Sequence, residues 1–332
     1  MNMKKMILAF LLIYSLQLFA QKGTIKIIHH GTKTNLRGLS ICKDAIWVSG
    51  SKGKIAKSMD GGKSWQWHLV KGFERADLRD IQAFDKNTAI VMAIDSPAYI
   101  LKTTDGGKNW KTVYQNNTSG MFLDAMDFSN HRNGIVVGDP IHGKIFLATT
   151  KNEGETWKFI NPNISANIQK GEAFFAASGS NIVLLKTNNF HLISGGIKSR
   201  YFTKNKVCIL PMMQGKETTG ANAIAVYKNN IAITGGDFME PNRNDSCFCF
   251  SNNNGNNWQR PTIAPNGYRS DVIFINKNTL ICCGLTGVDI SKDGGNTWEN
   301  ISHQSFNTCR YSKKLNAVFF IGQNGVIGKL LL

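Results

Sequence analysis

The chain has 332 residues and a formal net charge of +17, with seven cysteines and a hydrophobic fraction of 42%. Beyond the N-terminus no apolar run is long enough to cross a bilayer as a helix, and an odd cysteine count excludes a framework in which every thiol is paired. The charge favours contact with acidic surfaces such as anionic glycans, lipid headgroups or an acidic protein, while the scatter of the basic residues along the sequence gives no reason to expect nucleic acid as a partner.

The first residues, MNMKKMILAFLLIYSLQLFAQKG, combine basic Lys4 and Lys5, an apolar run over 6–20 interrupted by Ser15 and Gln17, and the small Ala20 before Gln21. This pattern predicts a secretory signal peptide over 1–20, cleaved near Ala20/Gln21. The mature chain, 21–332, is then expected to be exported, periplasmic or secreted, without a membrane anchor, and to form one domain of net charge +15 once Lys4 and Lys5 have left. Thr24 to His30, TIKIIHH, reads as a strand with no local partner.

Seven strand-like segments follow: LRGLSIC from Leu36, LRDIQAF from Leu78, FLDAMDF from Phe122, GEAFFAA from Gly171, GANAIAV from Gly220, YRSDVIF from Tyr268 and FNTCRYS from Phe306. Most are succeeded by a second strand ending in glycine, such as AIWVSG, GIVVG, IAITGG, LICCG and VFFIG, and then by a third. Short strands recurring every ~45 residues are the pattern of four-stranded propeller blades. The last unit runs out of residues after GVIGKLLL, so Thr24–His30 is predicted to complete the seventh blade and remove an exposed edge. The expected fold is all-β, a seven-bladed β-propeller closed by its N-terminal strand.

Between third and fourth strands one phrase returns: SMDGGKSW (Asp60, Trp65), TTDGGKNW (Asp105, Trp110), TKNEGETW (Asn152, Trp157), SNNNGNNW (Asn253, Trp258) and SKDGGNTW (Asp293, Trp298). The interval from Trp157 to Trp258 covers two periods, so the unit between them has lost its copy, and Ser180 to Phe202 fits that unit. Asp or Asn can bond the amides of its own turn, glycine supplies positive φ, and the tryptophan buries a large apolar surface worth on the order of 3 kcal/mol or more. Replacement of Asp by Asn in two copies suits a hydrogen-bonding turn and not a catalytic or metal-binding carboxylate. Of the seven cysteines, Cys42, Cys208, Cys247, Cys249, Cys282, Cys283 and Cys309, most lie in apolar runs and read as small buried hydrophobes.

These boxes resemble the Asp-box, or bacterial neuraminidase repeat, and their arrangement resembles the propellers related to photosystem II stability and assembly factors, over the whole mature chain. GDPIHGK from Gly138, GEAFFAASGSN from Gly171, GGDF from Gly235, GYRSDV from Gly267 and GLTGVDISKDGGNTW from Gly284 look like an exported bacterial branch of that family, whose members often carry a generic oxidoreductase label. No G-x-G-x-x-G between strand and helix and no clustered haem or iron–sulfur ligands support that label. No cofactor, metal or catalytic residue is expected.

Functional residues are expected at the mouth opposite the boxes. Aligning the seven segments puts Arg37, Arg79, Leu123, Glu172, Ala221, Arg269 and Asn307 in one column and Gly38, Asp80, Asp124, Ala173, Asn222, Ser270 and Thr308 in the next. Loops between second and third strands add Asp95, Asp139, His142, Asp237 and Glu240. The candidate ligand-binding set is Arg37, Arg79, Asp80, Asp139, His142, Glu172, Asp237 and Arg269, with arginine forks suited to anionic groups and carboxylates to hydroxyls or amides. The expected function is a non-catalytic, assembly-factor-like scaffold, a monomer that holds an envelope or secreted protein or peptide, or an acidic glycan. The alternative is a glycoside hydrolase or sialidase-like enzyme pairing Asp139 with Asp237 or Glu172, or a carbohydrate-binding propeller using Tyr99, Phe238 and Tyr268.

Overall fold

Second strands such as Ala45–Gly50, Ala89–Ala93 and Ala317–Ile321 are buried at every position. A strand covered by neighbouring sheets on both faces requires this, and it explains why AIWVSG and AVFFI read as apolar runs and not as alternation. A computed structural model describes residues 23–94, 96–161, 167–186 and 189–332; the expected signal peptide and Asp95 lie outside them.

Seven antiparallel blades follow one another, with inner strands Leu36–Cys42, Leu78–Ala83, Leu123–Phe128, Ile182–Lys186, Thr219–Tyr227, Asp271–Phe274 and Thr308–Ser312. One apolar cluster fills each junction between consecutive blades, including the junction of the seventh with the first, where Phe319 and Ile321 meet Leu36 and Val48. Lys26–His29 pairs antiparallel with Ile327–Leu331 and supplies the outermost strand of the seventh blade, as expected from the sequence.

Two blades depart from the expected pattern. In the fourth, only Glu172–Ala173 of GEAFFAA is strand; the chain then leaves the sheet, and the inner strand resumes at Ile182–Lys186. This blade also joins its third and fourth strands by a tight Lys204–Asn205 turn in place of a box. In the fifth, the outer strand is reduced to a bridge between Phe250 and Gln259.

Each box is held by its own side chains. Asp60 Oδ1 accepts the amides of Lys63 and Ser64 at 3.0 and 2.9 Å, and Ser58 Oγ accepts that of Gly62 at 2.9 Å. Asp105 and Asp293 repeat the arrangement. Where Asn stands, its Oδ1 still takes the fourth-position amide, from Thr156 to Asn152 at 3.1 Å and from Asn257 to Asn253 at 2.9 Å. Hydrogen bonds from the Asn109 amide and side chain hold the Asp105 carboxyl at about 2. The tryptophans pack into the junction with the preceding blade: Trp110 lies edge-on to Trp47, Trp258 to Tyr201 and Trp298 to Phe248, Trp65 joins the cluster around Phe319, and Trp157 the one between the second and third blades.

A second connection runs the opposite way. Lys57 donates to the Gly106 carbonyl of the next box, Lys102 to that of Glu153, Lys206 to that of Gly255 and Lys329 to that of Gly61, at 2.6–3.1 Å. Four of the seven junctions are therefore fastened by an ammonium from one blade on a turn carbonyl of the next. Lys57 also lies 4.8 Å above the Trp47 ring.

A chain beginning at His30 would lack the closing strand. Its thermal midpoint is expected to fall by at least about 5 °C, with concentration-dependent association through the bared edge of Ile327–Leu331 seen by light scattering. An unchanged midpoint and a monomer at all concentrations would contradict closure by Lys26–His29.

Candidate functional site

Each inner strand enters its blade through an irregularity that turns one side chain into the central channel. Pairing shifts register between Leu36 and Gly38, Leu78 and Asp80, Leu123 and Ala125, and Ala221 and Ala223, so Arg37, Arg79, Asp124 and Asn222 are bulge residues. In the sixth blade the Ser270 amide bonds the Cys283 carbonyl although Asp271 already pairs with Cys283, and in the seventh Asn307 and Thr308 share Ile321 in the same way. The channel-facing ring is thus Arg37, Arg79, Asp124, Asn222, Ser270 and Asn307. The sequence alignment had Leu123, Ala221 and Arg269 in this column, one residue early, because a bulge adds a residue that composition does not mark.

The fourth blade contributes the segment 174–181, FFAASGSN, which crosses the channel. Arg37 Nη1 donates to the Ala177 carbonyl at 3.0 Å, Ser178 Oγ to the Ser270 carbonyl at 2.8 Å, and the Ile224 amide to the Ser180 carbonyl at 2.8 Å. Arg310 Nη2 reaches the Ser178 carbonyl and Ser180 Oγ at 3.2 and 3.0 Å. Gly179 has φ +69° and faces the Asp80 carboxyl so closely that a Cβ would lie 2.5 Å from its carbon, so only glycine fits. This bridge divides the channel into an upper cavity of about 480 Å³, at the mouth away from the boxes, and a lower one of about 440 Å³.

Arg37, Arg79 and Asp139 line the upper cavity together with Phe122, Phe175, Phe238 and Tyr268, over a floor formed by 173–177. Phe238 stands edge-on to Phe175 and to Tyr268, at 6.0 and 6.4 Å. Arg79 lies over the Phe122 ring at 5.7 Å and is paired with Asp77 at 2.8 Å. Among the described residues, Arg37 Nε and Asn222 Nδ2 of this lining are buried without a hydrogen-bond partner, as are Asp77 Oδ1, on the carboxyl that pairs with Arg79, and both oxygens of the fully buried Asp124. Burial, and secondarily the Asp139 charge, pushes the Asp124 carboxyl well above the ordinary range. Asp139 is also raised by burial, although its Oδ1 accepts the Phe174 amide at 3.0 Å. Burial and the neighbouring Arg79 lower the Arg37 guanidinium.

The other candidates are placed elsewhere. Arg269 is fully buried and ion-paired with Asp289 at 2.5 Å. Glu172 is buried in a bidentate pair with Arg200, at 2.8 and 2.6 Å, which holds the start of the bridge. Asp237 is buried and caps the Met239 amide at 2.9 Å. His142 occupies a two-residue hairpin turn with φ 51°, its side chain exposed. Asp80 lies on the lower side of the bridge. Asn222, Ser270, Asn307, Phe122 and Phe175 were not singled out as ligand contacts, and the small-residue run AASGS was the one signal of a segment able to thread a narrow channel. Among the described residues no group of three His, Cys, Asp or Glu side chains is arranged to hold a metal ion.

Solved propellers share this architecture. YCF48 bound to D1 peptide superposes with a TM-score of 0.67 at 15% identity, covering 94% of this chain and 96% of that one. YCF48 from Cyanidioschyzon merolae gives 0.63 at 19% identity, over 93% and 99%, and the Neurospora crassa Pan2 WD40 domain 0.60 at 10%, over 90% and 89%. The fold is that of a β-propeller. No protein-family model matches the chain, and no curated protein matches it.

Below the bridge, carboxylates tie three of the inner strands to the next. Asp80 Oδ2 accepts the Met126 amide at 2.8 Å, Asp127 Oδ2 that of Leu184 at 2.6 Å, and Asp271 Oδ2 that of Cys309 at 2.8 Å. Arg310 pairs with Asp271 at 2.6 Å. Burial pushes the Asp80 carboxyl up to about 8, against the opposing pull of Arg310 and of the Met126 and Ile81 amides. The folded protein therefore holds this proton from about pH 4 to 8 while the unfolded chain, near its ordinary 3.8, has released it. Stability from this group is full below about pH 4, declines from there to about pH 8 and levels off above it. Urea midpoints measured from pH 5 to 9 should fall, with a shallower slope in Asp80→Asn; a slope unchanged by that substitution would remove Asp80 as its source.

Proposed function

We propose that the chain is an exported, non-catalytic peptide-binding propeller of the assembly-factor kind, which seats a segment of an envelope or secreted protein in the upper cavity. The observation that carries this reading is the gathering in one opening of Arg37 and Asn222, each with a buried polar atom lacking a partner among the described residues, with Arg79, Asp139 and the rings of Phe122, Phe175, Phe238 and Tyr268. Buried donors and acceptors without partners cost about 1–3 kcal/mol each, so a ligand that satisfies them gains that amount in affinity. A peptide matches the mixture: its carbonyls or an acidic side chain meet Arg37, Arg79 and Asn222, its amides meet Asp139, and an apolar side chain lies against Phe122, Phe238 and Tyr268. A cavity of about 480 Å³ falls within the usual size of such sites, roughly 300–1,000 Å³. The structural likeness to YCF48 bound to D1 peptide supports the same class of ligand.

The hydrolase alternative draws no support from the carboxylates it would use. Glu172 is tied to Arg200, and Asp237 is fully buried, with one oxygen on its own turn and the other 3.7 Å from the Lys216 ammonium.

Binding of the mature protein to an array of random twelve-residue peptides tests the proposal. Peptides that pair an acidic with an apolar or aromatic residue should be enriched, and Arg79→Gln and Phe238→Ala, both partly exposed positions, should each weaken the best of them by about tenfold or more. No peptide above background, or affinities indifferent to both substitutions, would contradict it.

A further inference from the structure

The basic residues, scattered in the sequence, are ordered by the repeat. Every hairpin between first and second strands carries an exposed cation: Lys43, Lys86, Arg132, Lys186, Lys228, Lys277 and, in the seventh blade, Lys313 and Lys314. All these hairpins lie at the end of the blades that carries the boxes, around the lower opening of the channel. Lys63, Lys108, Lys151, Lys204 and Lys292, in the boxes and in the turn that replaces the missing one, add an exposed second circle farther out. These turns hold thirteen basic side chains against seven carboxylates. Several of the seven are already engaged: Asp60, Asp105 and Asp293 cap their own turns, Asp85 the amides of Asn87 and Thr88, Asp44 pairs with Lys314 at 2.5 Å, and Glu155 with Lys102 at 2.6 Å.

We propose that this face docks on an anionic lipid surface. A cation on each blade, set in a circle on hairpin tips, opposes a plane, whereas a linear polyanion would meet an arc of it. All but one of these cations are lysines. The ammonium is a solvated point charge that needs no fixed bidentate acceptor, which suits a fluid array of headgroup phosphates. Lysines held near such a surface each add attraction, and the sum falls off within a Debye length. Docked this way, the protein presents the opposite mouth, with the aromatic and arginine-lined cavity, to the aqueous side. The lipid contact stands independently of what that cavity binds.

Co-sedimentation of the mature protein with vesicles tests the proposal. Binding is expected to vesicles containing about a third phosphatidylglycerol and not to pure phosphatidylcholine, and it should be lost between 0.1 and 1 M salt as the Debye length contracts from about 10 to about 3 Å. A lower-face variant, Lys86→Gln/Lys186→Gln/Lys277→Gln/Lys313→Gln, should lose at least about 50-fold in apparent affinity. An upper-face variant of equal net charge, Lys33→Gln/Lys71→Gln/Lys144→Gln/Lys170→Gln, should lose less than about fivefold; circular dichroism checks that both fold. Three outcomes would overturn the proposal: no binding to anionic vesicles at 0.1 M salt, equal losses in the two variants, or binding to soluble polygalacturonate that is tighter than binding to vesicles.

Discussion

The inner strand of the fourth blade breaks after Ala173 and resumes at Ile182, and the eight residues released cross the channel. Seven inner strands, six of them with a bulge at the entrance, direct backbone groups and polar side chains toward a common axis, where unpaired groups are costly. The bridge meets that demand from one blade: Ala177, Ser178 and Ser180 take hydrogen bonds from or give them to the first, fifth, sixth and seventh blades. It also defines the cavity, because 173–177 are the floor on which Arg37, Arg79 and the aromatic rings stand. A site of this kind is made by all seven blades, and no single repeat contains it.

At the periphery, fastening is local and periodic. Each box tryptophan enters the junction with the blade before it, and in four junctions a lysine from that earlier blade returns to the box's turn carbonyl. The box is therefore more than a turn. It is the point at which one blade receives the next, and so part of the +17 charge is structural, in ammonium groups that a surface count would treat as free. The remaining lysines on those turns are exposed and give the box face its own electrostatic character, distinct from the mouth that carries the cavity.

The repeat was legible because its chemistry is local: Asp60 bonds the amides three and four residues on, and that requirement writes a similar eight-residue phrase at each of the five boxes. Closure by Lys26–His29 was legible because the final unit ran out of residues. The missing box of the fourth blade was located by spacing alone, and the structure finds a Lys204–Asn205 turn there. The site was legible only in part. Arg37, Arg79 and Asp139 line the cavity, but Arg269, one position from the channel-facing Ser270, turns instead to Asp289. A single bulge residue inverts every side chain after it, and nothing in YRSDV marks where the bulge falls. Glu172 and Asp80 resemble rim charges in the sequence because their partners, Arg200 and the Met126 amide, lie 28 and 46 residues away.

The central claim is that 174–181 crosses the channel and is held there. Hydrogen exchange resolved by mass spectrometry on peptides spanning these residues, with 218–228 read in the same experiment, tests it most directly. The account predicts that Ala177 and Ile224, whose amides donate to Phe175 and Ser180, exchange as slowly as the buried second strand Asn230–Asp237. Exchange of 174–181 at the rate of an unstructured peptide would show that the channel is open and that the upper cavity has no floor.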